Sequence, residues 1–166
     1  MKNFREQLPI CVQQECEIAR LLAIELGTIV ITQIHKSNPD YDGVVLDPDT
    51  FDTDRKKVGV LFRYELKDER VKSKLTGNHF LEMVSRDKNS GISVTKSDIW
   101  IIQINNNTYY LTQTNMLKEQ TTKGKWKIVR GGDKHKGKPT SIGMLIPLSW
   151  IAQNKTTILK GNIGHG

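Results

Sequence analysis

The alternation of apolar and polar positions divides the chain into one leading amphipathic helix and a series of short strands. Over 9–26, Cys11, Val12, Cys16, Ala19, Leu22, Ala23 and Leu26 recur at spacings of three and four, which predicts a helix. Glu15 falls on the same stripe. Pro9 suits a first helical position and Gly27 a C-terminal stop. Residues 28–34 are β-branched and predict a strand, and 37–40 carry turn chemistry. A second strand is expected at 41–46, an exposed hairpin loop at 47–56, and a returning strand at 58–67. A polar connector follows at 68–74, then a turn at Thr76-Gly77-Asn78, a strand at 79–85 and a loop at 87–91. A short helix is expected to start within 93–98. Trp100-Ile101-Ile102-Gln103-Ile104 reads as a buried strand, turned at Asn105-Asn106-Asn107 into a hairpin partner at 108–112. One or two helical turns at 115–120, a Gly- and Lys-rich loop, a strand at 143–148 and a short helix at 149–153 follow. The pattern amounts to one domain over 1–155 with a loose tail at 156–166.

Composition narrows the setting. No apolar run approaches the roughly 20 residues of a membrane span, and the first six residues lack the apolar core of a signal peptide. Cys11 and Cys16 lie five apart on one helix, which is awkward for a bridge and offers no metal-ligand spacing. A reducing cytoplasm is the expected compartment. The net charge of +7 favours an anionic partner, and its distribution sharpens the point. Asp40, Asp42, Asp47, Asp49, Asp52 and Asp54 crowd one segment, whereas 118–138 is mainly basic. An acidic pocket in a basic molecule suits a metal-dependent nuclease, which must hold a cation where it also attracts a polyanion.

The chemistry centres on Glu65-Leu66-Lys67. On a strand, Glu65 and Lys67 point to one face and Leu66 to the other. An antiparallel hairpin of 41–46 with 58–67 brings the start of the first strand beside the end of the second. Asp42 is the preferred partner of Glu65, with Asp40 the rival on the same parity. Two carboxylates, the Leu66 carbonyl and waters suit Mg²⁺ or Mn²⁺, which would activate water and neutralise phosphate charge. Lys67 would add positive charge beside the developing anion. The plainer alternative is an Asp-rich turn and a solvated strand edge. Glu82 either extends the metal site or faces solvent. Thr95 is expected to cap a helix, with Asp98 three residues on. Lys123, Lys125, Lys127, Arg130, Lys134, Lys136 and Lys138, with Trp126 among them, form a basic loop that either tracks a nucleic-acid backbone or is a solvated face. His35, His79, His135 and His165 show no ligand spacing and read as structural or surface residues.

Pro39-Asp40, Asp42 and Glu65-Leu66-Lys67 together resemble the PD-(D/E)xK nuclease signature, and the order of elements resembles that superfamily's core. A further block resembles small phage and mobile-element members: Lys67-Asp68, Thr76-Gly77-Asn78-His79-Phe80-Leu81-Glu82, and Ser90-Gly91-Ile92-Ser93-Val94-Thr95-Lys96-Ser97-Asp98-Ile99-Trp100. Ser97 and Ile99 depart from the pattern of that group. Gly131-Gly132-Asp133 and Gly143-Met144-Leu145-Ile146-Pro147-Leu148 also resemble it, so the resemblance spans 10–150. It implies an α/β fold with a restriction-endonuclease-like core, a mixed central β-sheet flanked by helices. It implies a Mg²⁺- or Mn²⁺-dependent endonuclease acting on DNA before RNA. It also implies that an acid of the first helix, Glu15, can join the metal site. A homodimer is left open. The alternatives are a non-catalytic nucleic-acid-binding module of the same fold, and an interaction domain whose acidic loop at 47–54 meets a protein.

Overall fold

The computed structural model describes residues 10–32, 40–50, 59–70, 75–135 and 138–161. Helix α1 occupies Ile10–Leu26 and stops where Gly27 turns to φ +61°. The Thr28 N–H donates to the Ala23 carbonyl at 3.2 Å and closes the last turn. The buried face is Ile18, Leu21 and Leu22, while Cys16 and Leu26 are exposed. The apolar stripe is therefore rotated from the expected one, because the sheet beneath the helix, not its own composition, selects the face. Glu15 precedes Ile18 by three and Leu22 by seven, so it stays at the margin of the buried face, half-buried.

The central sheet is mixed. Its strands lie in the order β1 (Val30–Thr32), β2 (Gly43–Leu46), β3 (Val60–Asp68), β6 (Ile99–Asn105), β7 (Thr108–Gln113) and β10 (Thr157–Lys160). Only β3 and β6 run parallel; every other neighbouring pair is antiparallel. A second, antiparallel sheet has the order β5 (Lys88–Asn89), β4 (Asn78–Ser85), β9 (Lys138–Pro147) and β8 (Ile128–His135). Helices α2 (Thr114–Lys123) and α3 (Leu148–Asn154) complete a mixed α/β protein. No helix among the described residues is long and apolar enough to cross a membrane.

Two apolar clusters lie on either side of the central sheet. Ile18, Leu21 and Leu22 of α1 pack on Val45, Tyr64, Ile101, Tyr109, Leu111 and Leu159. On the other face, Trp100 and Ile102 meet Leu81, Met144 and Ile146 of the second sheet, with Leu117 of α2 and Ile151 of α3. Strand β6 is covered on both faces, which is why it reads as an apolar run interrupted only by Gln103 before its last residue, Asn105. The alternation along β3 follows from the same layering. Phe62, Tyr64 and Leu66 pack with the α1 cluster, so Glu65 and Lys67 turn toward the second sheet.

Four local expectations are corrected. The Gly- and Lys-rich stretch is a hairpin, β8 with β9, and not a loop. Its glycines are needed for space: a Cβ at Gly143 would sit 2.6 Å from the Phe80 ring, and one at Gly131 would sit 3.0 Å from it. The stretch after Thr156 opens with β10, whose Leu159 is buried, so the tail is ordered sheet as far as Lys160. No helix starts at 93–98; a 3₁₀ turn at Gly91–Ser93 leads into extended chain. The polar connector begins with residues that are fixed. Asp68 accepts from Gln14 Nε2 at 2.7 Å and from both Arg70 Nε and Arg70 Nη2 at 2.9 Å, and Glu69 is buried. Those bonds with Arg70, against some cost of burial, hold the Asp68 carboxyl down at about 2. The hairpin loop beyond Thr50, including Asp52 and Asp54, lies outside the described residues, as do His35 and His165.

Candidate functional site

Strand β3 outruns its neighbour. The last backbone bond between them is the Asp42 N–H to the Tyr64 carbonyl, 2.9 Å. One rung further on, Leu66 has no β2 residue opposite it. The Asp42 carboxylate fills the position, with Oδ2 accepting the Leu66 N–H at 2.7 Å. In a strand the N–H and C=O of one residue point to the same side, so the Leu66 carbonyl opens onto the same edge. Chain direction explains why β2 stops. The Asp40 carbonyl is taken by the Lys96 N–H at 2.7 Å and the Thr95 hydroxyl at 2.9 Å, which draws the chain away from β3.

Glu65 is 8% exposed, and its neighbour across the parallel pair is Trp100. Lys67 Nζ donates to Glu65 Oε1 at 2.5 Å and lies 5.3 Å from the centre of the Trp100 ring. Thr95 Oγ1 is 3.5 Å from Glu65 Oε2. Burial raises the proton affinity of Glu65, the Lys67 charge opposes that, and the Asp42 charge adds to it; the net shift is upward. Glu15 is pushed the same way, by burial first and then by Asp42. Under them the Tyr64 hydroxyl is buried without a hydrogen-bond partner, and burial, then Asp42 and Glu15, holds its proton on. The Asp42 charge thus acts on both Glu15 and Glu65 near the end of β3, and the Lys67 ammonium stands against Glu65.

The other candidates have different surroundings. The Asp40 carboxylate is 2.8 Å from Lys96 Nζ, and it is Asp42, not Asp40, whose charge bears on Glu65. Glu82 accepts the Ser90 and Ser141 hydroxyls, each at 2.6 Å, within the second sheet. Among the described residues, no three His, Cys, Asp or Glu side chains are grouped so as to hold a metal ion. Lys123 pairs with Glu119 at 3.0 Å at the end of α2, and Lys125 Nζ stands 5.0 Å from the centre of the Trp126 ring. Lys127 and Arg130 are exposed, Lys134 and Lys138 stand on β8 and β9, and Lys136 lies outside the described residues. Since β8 is an edge strand, its basic residues also serve to keep that edge from pairing with another chain.

Several contributors escape a linear reading. Thr95 caps no helix: its hydroxyl stitches Asp40 to Ser97, and its carbonyl accepts Lys118 Nζ at 2.8 Å. Asp98, just before β6, pins the body of β3 instead, accepting the Arg63 N–H at 2.8 Å and returning its own N–H to the Arg63 carbonyl. His79, scattered among the histidines of the sequence, is buried between Glu69 and Trp100. No family model matches the chain, and neither a curated protein nor a solved structure was found to be similar to it.

Proposed function

We propose that the chain is a Mg²⁺-dependent nuclease that hydrolyses phosphodiester bonds in DNA, on a restriction-endonuclease-like core. The observation that carries this reading is the reach of Asp42 past the end of β2 to the rung where Glu65 and Lys67 share a face. Two carboxylates and a backbone carbonyl form an all-oxygen donor set, which matches a hard cation that keeps several waters. The raised proton affinities of Glu65 and Glu15 fit the same reading, because neighbouring acids short of positive charge gain most from a cation. Asp42, Glu65 and the Leu66 carbonyl would hold the ion, with Glu15 at its margin. Such an ion supplies an acidified water and neutralises phosphoryl charge.

The residues of the chain do the remainder. The Lys67 ammonium donates hydrogen bonds and places positive charge where the attacked phosphate gathers negative charge. The second sheet covers Glu65 and limits bulk water, which strengthens every charge interaction there. Lys96 pairs with Asp40 and Lys118 with the Thr95 carbonyl, and Lys123, Lys125, Lys127 and Arg130 would provide positive charge for the DNA backbone. The basic net charge and the resemblance of Pro39-Asp40, Asp42 and Glu65-Leu66-Lys67 to a nuclease signature support the same conclusion.

The test is cleavage of labelled linear, nicked and branched DNA with Mg²⁺ or Mn²⁺. Wild type cuts at least one of these substrates. Lys67→Ala binds it within a few fold, since one partly exposed charge adds little affinity. Its cleavage falls on the order of a hundredfold or more, as when one preorganised donor is lost. If wild type binds every substrate and cuts none with either ion, a non-catalytic DNA-binding module takes the place of this reading.

A further inference from the structure

A line of buried polar side chains runs from the second sheet to the ammonium of Lys67. Trp100 is 1% exposed, and its indole Nε1–H donates to His79 Nε2 at 3.2 Å. An indole N–H can only donate, so His79 Nε2 must carry the lone pair. The proton of the neutral ring is therefore on Nδ1, which lies 2.6 Å from Glu69 Oε1 and donates to it. His79 is 1% exposed and Glu69 7%. The two rings meet edge to face at 66°. Each bond fixes the next group: the carboxylate sets the tautomer, the tautomer sets the acceptor, and the acceptor sets the plane of the indole. The face of that indole is presented to Lys67 Nζ, 5.3 Å from the ring centre.

Sheet cohesion alone does not call for these residues. A Glu–His pair in an apolar layer carries a desolvation cost that an apolar pair of the same volume would avoid. What the polar line adds is orientation. Lys67 has four rotatable bonds, and a salt bridge to Glu65 by itself leaves its ammonium free to swing about one oxygen. The electron-rich face of the indole supplies the second constraint, and Glu69, two residues on and just past the end of β3, anchors the far end.

We propose that Glu69, His79 and Trp100 are positioning residues that aim the Lys67 ammonium; the catalytic consequence rests on the hydrolytic reading above, while the aiming itself does not. The variants are Glu69→Gln, whose side-chain oxygen still accepts the His79 N–H, and Glu69→Leu, which accepts nothing. Both lie away from the Lys67 contact and spare the Trp100 core. Wild type and both variants are labelled with ¹³C-lysine, and the Lys67 ε-methylene resonance is identified by its loss in Lys67→Arg. In wild type that resonance is displaced upfield by the indole ring current. Glu69→Gln keeps the displacement and Glu69→Leu reduces it. On DNA, Glu69→Leu lowers kcat about tenfold to a hundredfold with unchanged Kd, as expected for a small misplacement of a reacting group, and Glu69→Gln restores it. An undisplaced wild-type resonance, or one that folded Glu69→Leu leaves in place, overturns the proposal. So does an equal loss of kcat in the Gln and Leu variants. A displaced, Glu69-dependent resonance in a wild type that cuts no DNA supports the positioning line and overturns the nuclease reading alone.

Discussion

Each of the two sheets carries a glutamate in mid-strand, and the two are treated in opposite ways. Glu82 on β4 is closed: both of its oxygens accept serine hydroxyls, from Ser90 and Ser141, at 2.6 Å. Glu65 on β3 is more deeply buried, has the Lys67 ammonium against one oxygen and only a long 3.5 Å contact from the Thr95 hydroxyl to the other, and feels the Asp42 charge as repulsion. Neutral hydroxyls satisfy an acid without leaving it any appetite for a cation. A carboxylate buried among other carboxylates is the reverse case, an arrangement that loses stability until positive charge arrives. The lesson is that burial and strand position do not distinguish a structural acid from a candidate metal ligand. The inventory of partners does.

The largest expected effect of this difference is on cleavage. Glu65→Gln should abolish cutting of a DNA that wild type cuts, on the order of a hundredfold or more, while Glu82→Gln should stay within a few fold. A gel assay of both variants at equal protein concentration checks it, and equal losses would mean that the two glutamates belong to one site after all.

The next effect is on stability. A cation that binds only the folded state stabilises it by about 2.7 kcal/mol at a hundred times its dissociation constant. For a chain of this size that is a rise of several degrees in Tm, at about 2–4 °C per kcal/mol. Mg²⁺ should raise the Tm of wild type and of Glu82→Gln and leave that of Glu65→Gln unchanged, as read by calorimetry. A rise retained in Glu65→Gln would place the cation elsewhere.

The smallest effect concerns Glu15, whose carboxyl is held above its ordinary 4.5 by burial and then by Asp42. An acid whose folded pKa is raised binds more protons folded than unfolded across that window. Stability therefore falls as pH rises through it, and the full cost stands above the folded pKa. Glu15→Gln should raise the metal-free Tm at neutral pH, and the gain should shrink as pH falls through the raised pKa toward 4.5. A gain independent of pH would point to helix propensity and not to charge.

Much of the site edge was legible along the chain because its signal is local. Glu65 and Lys67 share a face through the period of two, and α1 shows in its spacing with Gly27 as the stop. The run at 100–104 and the asparagine turn after it announce β6 and β7 in the same way. The basic stretch reads as a loop because glycine and lysine are common in loops. Here Gly131 and Gly143 admit the Phe80 ring, a contact from a strand distant in the chain that composition cannot carry.

By itself, then, the sequence determined which residues alternate, where the first helix ends, and that an acid and an amine share one face of a strand end. Only the tertiary structure decided their company. It chose Asp42 over Asp40 as the acid against β3, because Thr95 and Lys96 hold the Asp40 segment aside. It closed Glu82 with hydroxyls 8 and 59 residues distant, and joined Glu69, just past β3, with His79 of β4 and Trp100 of β6. The physical reason is range. Backbone periodicity is a property of neighbouring residues, whereas the charge and hydrogen bonds that a buried carboxylate feels come from whichever strands the sheets bring beside it.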